Sequence, residues 1–147
     1  MVRVRGRSGA FGMGQSDLRP GHLVSFGAMT LCVSGAASAE LTGAHFDQAE
    51  HLRIERFAVR SIGTPALGGS LQSIMAEGFD PNDHTVTSQC DEDDAVSEFA
   101  ADFVADAPGV ARGQNLVVEY ASGPKTRSVT IPVTIVLCSY PQERCPN

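Results

Sequence analysis

Tryptophan is absent from this sequence, tyrosine occurs only twice, and no apolar run reaches the ~20 uninterrupted residues that a membrane-spanning helix requires. Little aromatic surface is therefore available for stacking sugars. A paired-carboxylate glycosidase, though rich enough in acids, has a poor platform here. With 11 basic against 17 acidic residues the net charge is −6, and no basic patch or aromatic platform offsets it. A polyanion would be repelled, which argues against nucleic acid as a partner. No two cysteines are separated by just two residues, so neither a redox pair nor a zinc knuckle is indicated. The G-x-S-x-G elbow of a serine hydrolase is also missing. Internal repeats and low-complexity stretches are absent. What remains is a chain of 147 residues, 42% hydrophobic and 19% charged, the composition of one ordinary globular domain.

The N-terminal stretch carries Arg3, Arg5, Arg7 and Arg19 and is followed by the apolar segment LVSFGAMTLCVSGAA, from Leu23 to Ala37. A cationic region, an apolar region and the small residues Ala37-Ser38-Ala39 are the parts of an export signal, with cleavage expected before Glu40. A translation start at Met13 would leave that reading unchanged. The division expected from the sequence is a removed signal at 1–39, a loosely ordered segment at 40–51 and a single α+β domain at 52–147. Export, to a bacterial periplasm or the extracellular space, follows from the signal.

Loss of Cys32 with the leader would leave Cys90, Cys138 and Cys145 as disulfide candidates, an odd number in an oxidising compartment. Cys138–Cys145 would close a small loop and Cys90–Cys138 a longer one; the longer closure is slightly favoured because it gives the larger entropic stabilisation, the sequence leaves the connectivity open, and the remaining thiol could link a dimer.

Along the expected mature chain, HLRIERFAVRSI gives Leu52 and Ile54, then Phe57 and Val59 after a phase slip. This reads as a strand with a bulge near Glu55-Arg56. Thr64-Pro65 opens a helix and Gly78 closes it, with Leu67, Leu71, Ile74 and Met75 at helical spacing. HTVTSQ (84–89) adds a short strand. A second helix is expected from Asp91 to Asp106, because Val96, Phe99, Ala100, Phe103 and Ala107 share one arc of its wheel. LVVEYAS and TRSVTIPVTIVLC, flanking Gly123-Pro124-Lys125, form a hairpin whose second strand, because of Pro132, either lies at a sheet edge or turns the proline position outward. The expected fold is thus α+β: a small antiparallel or mixed sheet with one or two helices on one face, ending in a β-hairpin.

Two clusters could carry function. Asp94, Glu98, Asp102 and Asp106 recur every four residues along the second expected helix, and no basic residue on it offsets them. They are candidates for binding a basic partner, the plainer alternative being a solvated face. Asp80, Asp83 and His84, with Asn82, sit in a turn where oxygen and imidazole ligands could hold a divalent metal, although the EF-hand glycine and distal glutamate are missing. His45, Asp47 and His51 could join His84 in such a site. Gly68-Gly69-Ser70 lacks the lysine and spacing of a phosphate loop. No catalytic residue and no resident cofactor are assigned. The expected function is a small exported, non-catalytic binding module for a protein or cell-envelope component, using the acidic helix or the hairpin edge near Thr130, Thr134 and Val136. The alternatives are a metal-dependent hydrolase or metal carrier using Asp80, Asp83 and His84, and a structural envelope protein.

Overall fold

The computed structural model describes residues 1–5, 11–19, 21–62, 67–92 and 96–139. Among these residues ten strands follow one another: β1 Val2–Val4, β2 Phe11–Leu18, β3 Leu23–Val33, β4 Ala39–Glu50, β5 Leu52–Ile62, β6 Gly69–Ser70, β7 Thr85–Val86, β8 Val96–Ala105, β9 Gly109–Ser122 and β10 Lys125–Ser139. One sheet has the order β1-β3-β8-β5, with β6 also paired to β3; the other runs β2-β10-β9-β4-β7. Among the described strands all pairings are antiparallel except β2 with β10, and an isolated parallel bridge joins Val33 to Gln89.

The α+β expectation is overturned, because the described residues contain no helix. Both expected helices fail for identifiable reasons. In β8 the side chains of Phe99, Ala101, Phe103 and Ala105 alternate into the main core, while Ala100 packs in a smaller cluster with Ala58, Leu67, Ile74 and Phe79. A strand buried on both faces loses the polar alternation that would announce it, and its small alanines fit a helical arc equally well. The described part of the other expected helix is a strap. Residues 67–79 cross the outer face of the first sheet, and their only helical feature is a single turn over 73–79, closed by the N–H of Phe79 donating to the carbonyl of Ile74 at 3.0 Å. The segment at 40–51, expected to be loose, forms β4 and its junction with β5.

Residues expected to leave as a signal supply β1, β2 and β3. Strand β3 lies between β1 and β8, and its Val24, Phe26, Met29, Leu31 and Val33 are all in the main core. The inward positions are even before Gly27-Ala28 and odd after it, because one extra residue shifts the pairing with β8 between Phe26 and Met29. That β-bulge, with Ala28 at φ 60°, inverts the alternation halfway along the strand and makes the sequence look uniformly apolar. Strand β5 has the bulge expected of it, between Ile54 and Arg56. Further register shifts occur in the β4/β9, β2/β10 and β9/β10 pairs. Bulges bend and twist the strands that carry them. Both sheets contribute to one shared core that includes Phe103 and Phe26 from the first and Leu116, Ile131 and Ile135 from the second.

Cys32 is bridged to Cys90, which replaces the expected Cys90–Cys138 pair. The reason lies in the course of the chain after β7. The N–H of Val33 donates to the carbonyl of Ser88 and the N–H of Cys90 to that of Val33, at 2.9 and 3.1 Å, so residues 88–90 run beside the end of β3. Cys138 is also disulfide-bonded, Cys145 lies outside the described residues, and no free cysteine occurs among those described. The Cys32–Cys90 bridge spans a sequence separation of 58 residues, and a loop of that size stabilises the folded state by roughly 4 kcal/mol. Replacing both cysteines by serine is expected to lower the denaturant midpoint accordingly, measured by urea titration. An unchanged midpoint would show that the bridge does not constrain the unfolded chain.

Candidate functional site

The acidic residues at four-residue spacing do not form a surface. Asp94 lies outside the described residues. Glu98 and Asp102 are completely buried in β8, on the same side as Ala100, under the strap. Glu98 Oε2 accepts the N–H groups of Ala28 at 2.8 Å and Leu67 at 3.1 Å. Its Oε1 accepts Arg60 Nε at 2.9 Å and lies 2.9 Å from Nη2 of the same guanidinium. Arg60 also donates to the carbonyl of Glu77 at 2.9 Å and stacks over the Phe79 ring at 4.0 Å. Asp102 accepts Ser73 Oγ at 2.7 Å and the N–H of Ile74 at 2.9 Å, with Arg56 Nε 3.3 Å away. Both carboxylates therefore fasten the strap to the sheet. Asp106 follows β8 and is exposed beside His51 Nδ1 at 3.4 Å.

Gly27 completes this clamp. A Cβ there would lie 2.7 Å from the Leu67 carbonyl oxygen and 2.9 Å from Leu67 Cβ, so the strap passes too close to β3 for any side chain. Absence of a Cβ lets the Ala28 N–H and the Leu67 N–H converge on one carboxylate oxygen.

The second expected cluster does not converge either. Asp80 Oδ1 accepts the N–H of Asn82 at 2.9 Å and Asp83 Oδ1 that of Thr85 at 3.2 Å, the bonding of two successive Asx turns. His84 stacks on Phe57 with ring centroids 4.4 Å apart, and its Nε2 contacts the Phe57 carbonyl at 3.1 Å. His45 pairs with Glu119 at 3.3 Å, on a different strand pair. Among the described residues no group of three or more His, Cys, Asp or Glu is arranged to hold a metal. Gly69-Ser70 pairs with Phe26 and Ser25 of β3, so it begins no helix.

A groove of about 760 Å³ lies between β1 and the first half of β10, and its lining includes Arg3, Val4, Tyr120, Arg127, Val129 and Thr130. Its walls are strand edges. Among the described residues, β2 pairs with β10 from Val133 to Ser139, whereas β9 pairs with it from Lys125 to Ser139. The two-residue turn Gly123-Pro124, with Gly123 at φ 62°, suits a type II′ hairpin, in which the carbonyl of Ser122 accepts the N–H of Lys125. Hydrogen-bonded pairs then alternate up the ladder. Arg127 and Val129 face β9 with their backbone polar groups, and Thr126, Ser128 and Thr130 turn theirs the other way. On β1, the N–H of Ser34 donates to the carbonyl of Met1 and that of Arg5 to the carbonyl of Thr30, both at 2.8 Å. By the same alternation Val2 and Val4 turn their backbone groups away from β3.

Thr130 was legible in the sequence as part of a hairpin edge, but Thr134 and Val136 pair with β2. Arg3 was legible only as part of a cationic leader, and Arg127 gave no signal of its own. They become neighbours of one groove only because β1, over a hundred residues earlier in the chain, lies against β10.

No family model matches the chain, and no curated protein matches it. Among solved structures it is similar to the structure of the Vibrio cholerae VesB protease, with 14% identity and a TM-score of 0.36. The match covers 88% of this chain and 30% of that one.

Proposed function

We propose that this protein is a binding module of an oxidising compartment, exported from the cytoplasm, which takes an extended polypeptide segment along the edge of β10. The observation that carries this reading is the half-covered strand. Beyond Val133 toward its N-terminal end, β10 is paired on the β9 side and has no described partner on the other. An extended segment gains main-chain hydrogen bonds at such an edge without any base, nucleophile or metal being required of the site. The disulfide between Cys32 and Cys90 supports export, because structural disulfides persist where thiols are not kept reduced.

Hydrogen exchange tests the edge directly. In the free protein the amides of Thr126, Ser128 and Thr130 are expected to exchange quickly. An added octapeptide of alternating valine and polar residues is expected to protect them, and its copy N-methylated along one edge is not. Ser128→Pro removes one edge donor without touching a β9 bond. It is expected to abolish the protection while shifting the melting temperature by less than about 5 °C. Slow exchange at these three amides in the peptide-free protein would show the edge to be already occupied and would end this reading.

A further inference from the structure

We infer, independently of the edge-binding reading, that Met75 is an oxidation site at which a peroxide makes the sulfoxide, and that Arg56 then holds the new oxygen and tightens the strap. Met29 is buried in the main core and Met13 packs against it, whereas Met1 and Met75 are exposed, at 52% and 46%. At Met75 the accessible sulfur also meets a cation. Arg56 Nη1 donates to its Sδ at 3.5 Å. A thioether is a weak acceptor, so this donor is poorly used in the reduced protein.

With hydrogen peroxide, a sulfur lone pair takes one oxygen as the O–O bond breaks. The sulfur loses two electrons, and the second oxygen leaves as hydroxide and takes the proton of the first, giving water. The product is polar and carries an oxygen acceptor where the thioether was apolar. In a packed core that change is disruptive, but beside a guanidinium the new oxygen accepts a charge-assisted hydrogen bond. Three rotatable bonds let the Met75 side chain turn it toward Nη1. Arg56 need not leave its present partner, because a different nitrogen, Nε, lies 3.3 Å from Asp102 Oδ2. Met75 is joined to the same carboxylate through its backbone. Its N–H donates to Ser73 Oγ at 3.3 Å, and that hydroxyl donates to Asp102 at 2.7 Å. Asp102, Arg56, Met75 and Ser73 thus form a closed ring in which the thioether is the weakest acceptor, and oxidation strengthens that link.

The test treats the folded full chain with hydrogen peroxide, maps oxidised methionines by peptide mass and follows exchange of the Ile74, Glu77 and Phe79 amides. The first donates to Asp102 and the other two to the Ile74 carbonyl, so all three report on the strap. Met75 is expected to gain one oxygen while Met29 stays unmodified, and the three amides to exchange at least about threefold more slowly afterwards. Met75→Leu is expected to show no such slowing. Arg56→Gln, compared with itself before and after peroxide so that its own loss of stability cancels, is expected to be oxidised at Met75 without slowing. Unchanged or faster exchange in the oxidised parent would overturn the inference. So would slowing that persists in either variant, or a Met75 that resists peroxide as Met29 does.

Discussion

A chain that begins at Glu40 is expected not to fold. It lacks β1, β2 and β3, and with β3 the core side chains Val24, Phe26, Met29, Leu31 and Val33. Burying an aliphatic or aromatic side chain of this kind is worth roughly 1.5–3 kcal/mol, so these five contribute on the order of 8–15 kcal/mol. The entire stability of a domain is about 5–15 kcal/mol. Removing them also uncovers one edge of β8 and leaves Cys90 without Cys32. The expected result is a random-coil circular dichroism spectrum for residues 40–147 and a cooperative thermal transition for the full chain. Intact mass of the folded protein recovered from an exporting host is expected to include residue 32 and to lack free thiol at Cys90. A cooperative transition in the truncated chain would mean that β8 and β5 find another partner for the buried face, and the sheet order would have to be revised.

Glu98→Ala is expected to be the most destabilising single change on the outer face of the first sheet. Its carboxylate accepts from Ala28, Leu67 and Arg60 while wholly screened from water. Truncation orphans two backbone N–H groups and leaves the Arg60 guanidinium without its partner charge, a loss of about 3–5 kcal/mol for a broken buried pair. The damage should be local. Protection of amides in the strap at residues 67–79 is expected to collapse at denaturant concentrations that leave β9 and β10 intact. Glu98→Gln keeps the size and one acceptor oxygen, so it should cost less than alanine. If alanine and glutamine variants both unfold with the parent's midpoint, the carboxylate does not hold the strap and the clamp assigned to it is wrong.

The two changes bear on different parts of the molecule, and a binding assay separates them. The edge residues Thr126, Ser128 and Thr130 belong to the second sheet, whereas the clamp joins β8, β5, the strap and the Ala28 N–H of β3 in the first. Loosening the strap is therefore expected to leave the protection of Thr126, Ser128 and Thr130 by peptide unchanged as long as the sheets persist.

Where local pattern and tertiary partner agreed, the sequence alone determined the outcome. The β9/β10 hairpin around Gly123-Pro124 and the bulged strand β5 follow from alternation and turn chemistry within about a dozen residues. Tertiary structure decided three other matters. A bulge at Gly27-Ala28 inverts the alternation of β3, so the local pattern of this segment does not announce the strand that pairs with β8. A spacing of four residues places Glu98 and Asp102 on one face of a helix and equally on one face of a strand, since four is close to 3.6 and is twice two. The arginines of β5, the Ala28 N–H of β3 and the N–H and hydroxyl donors of the strap make it possible to bury them. The groove's two arginines stand on strands that meet through the closing of the two sheets, and no local interaction in either segment encodes that meeting.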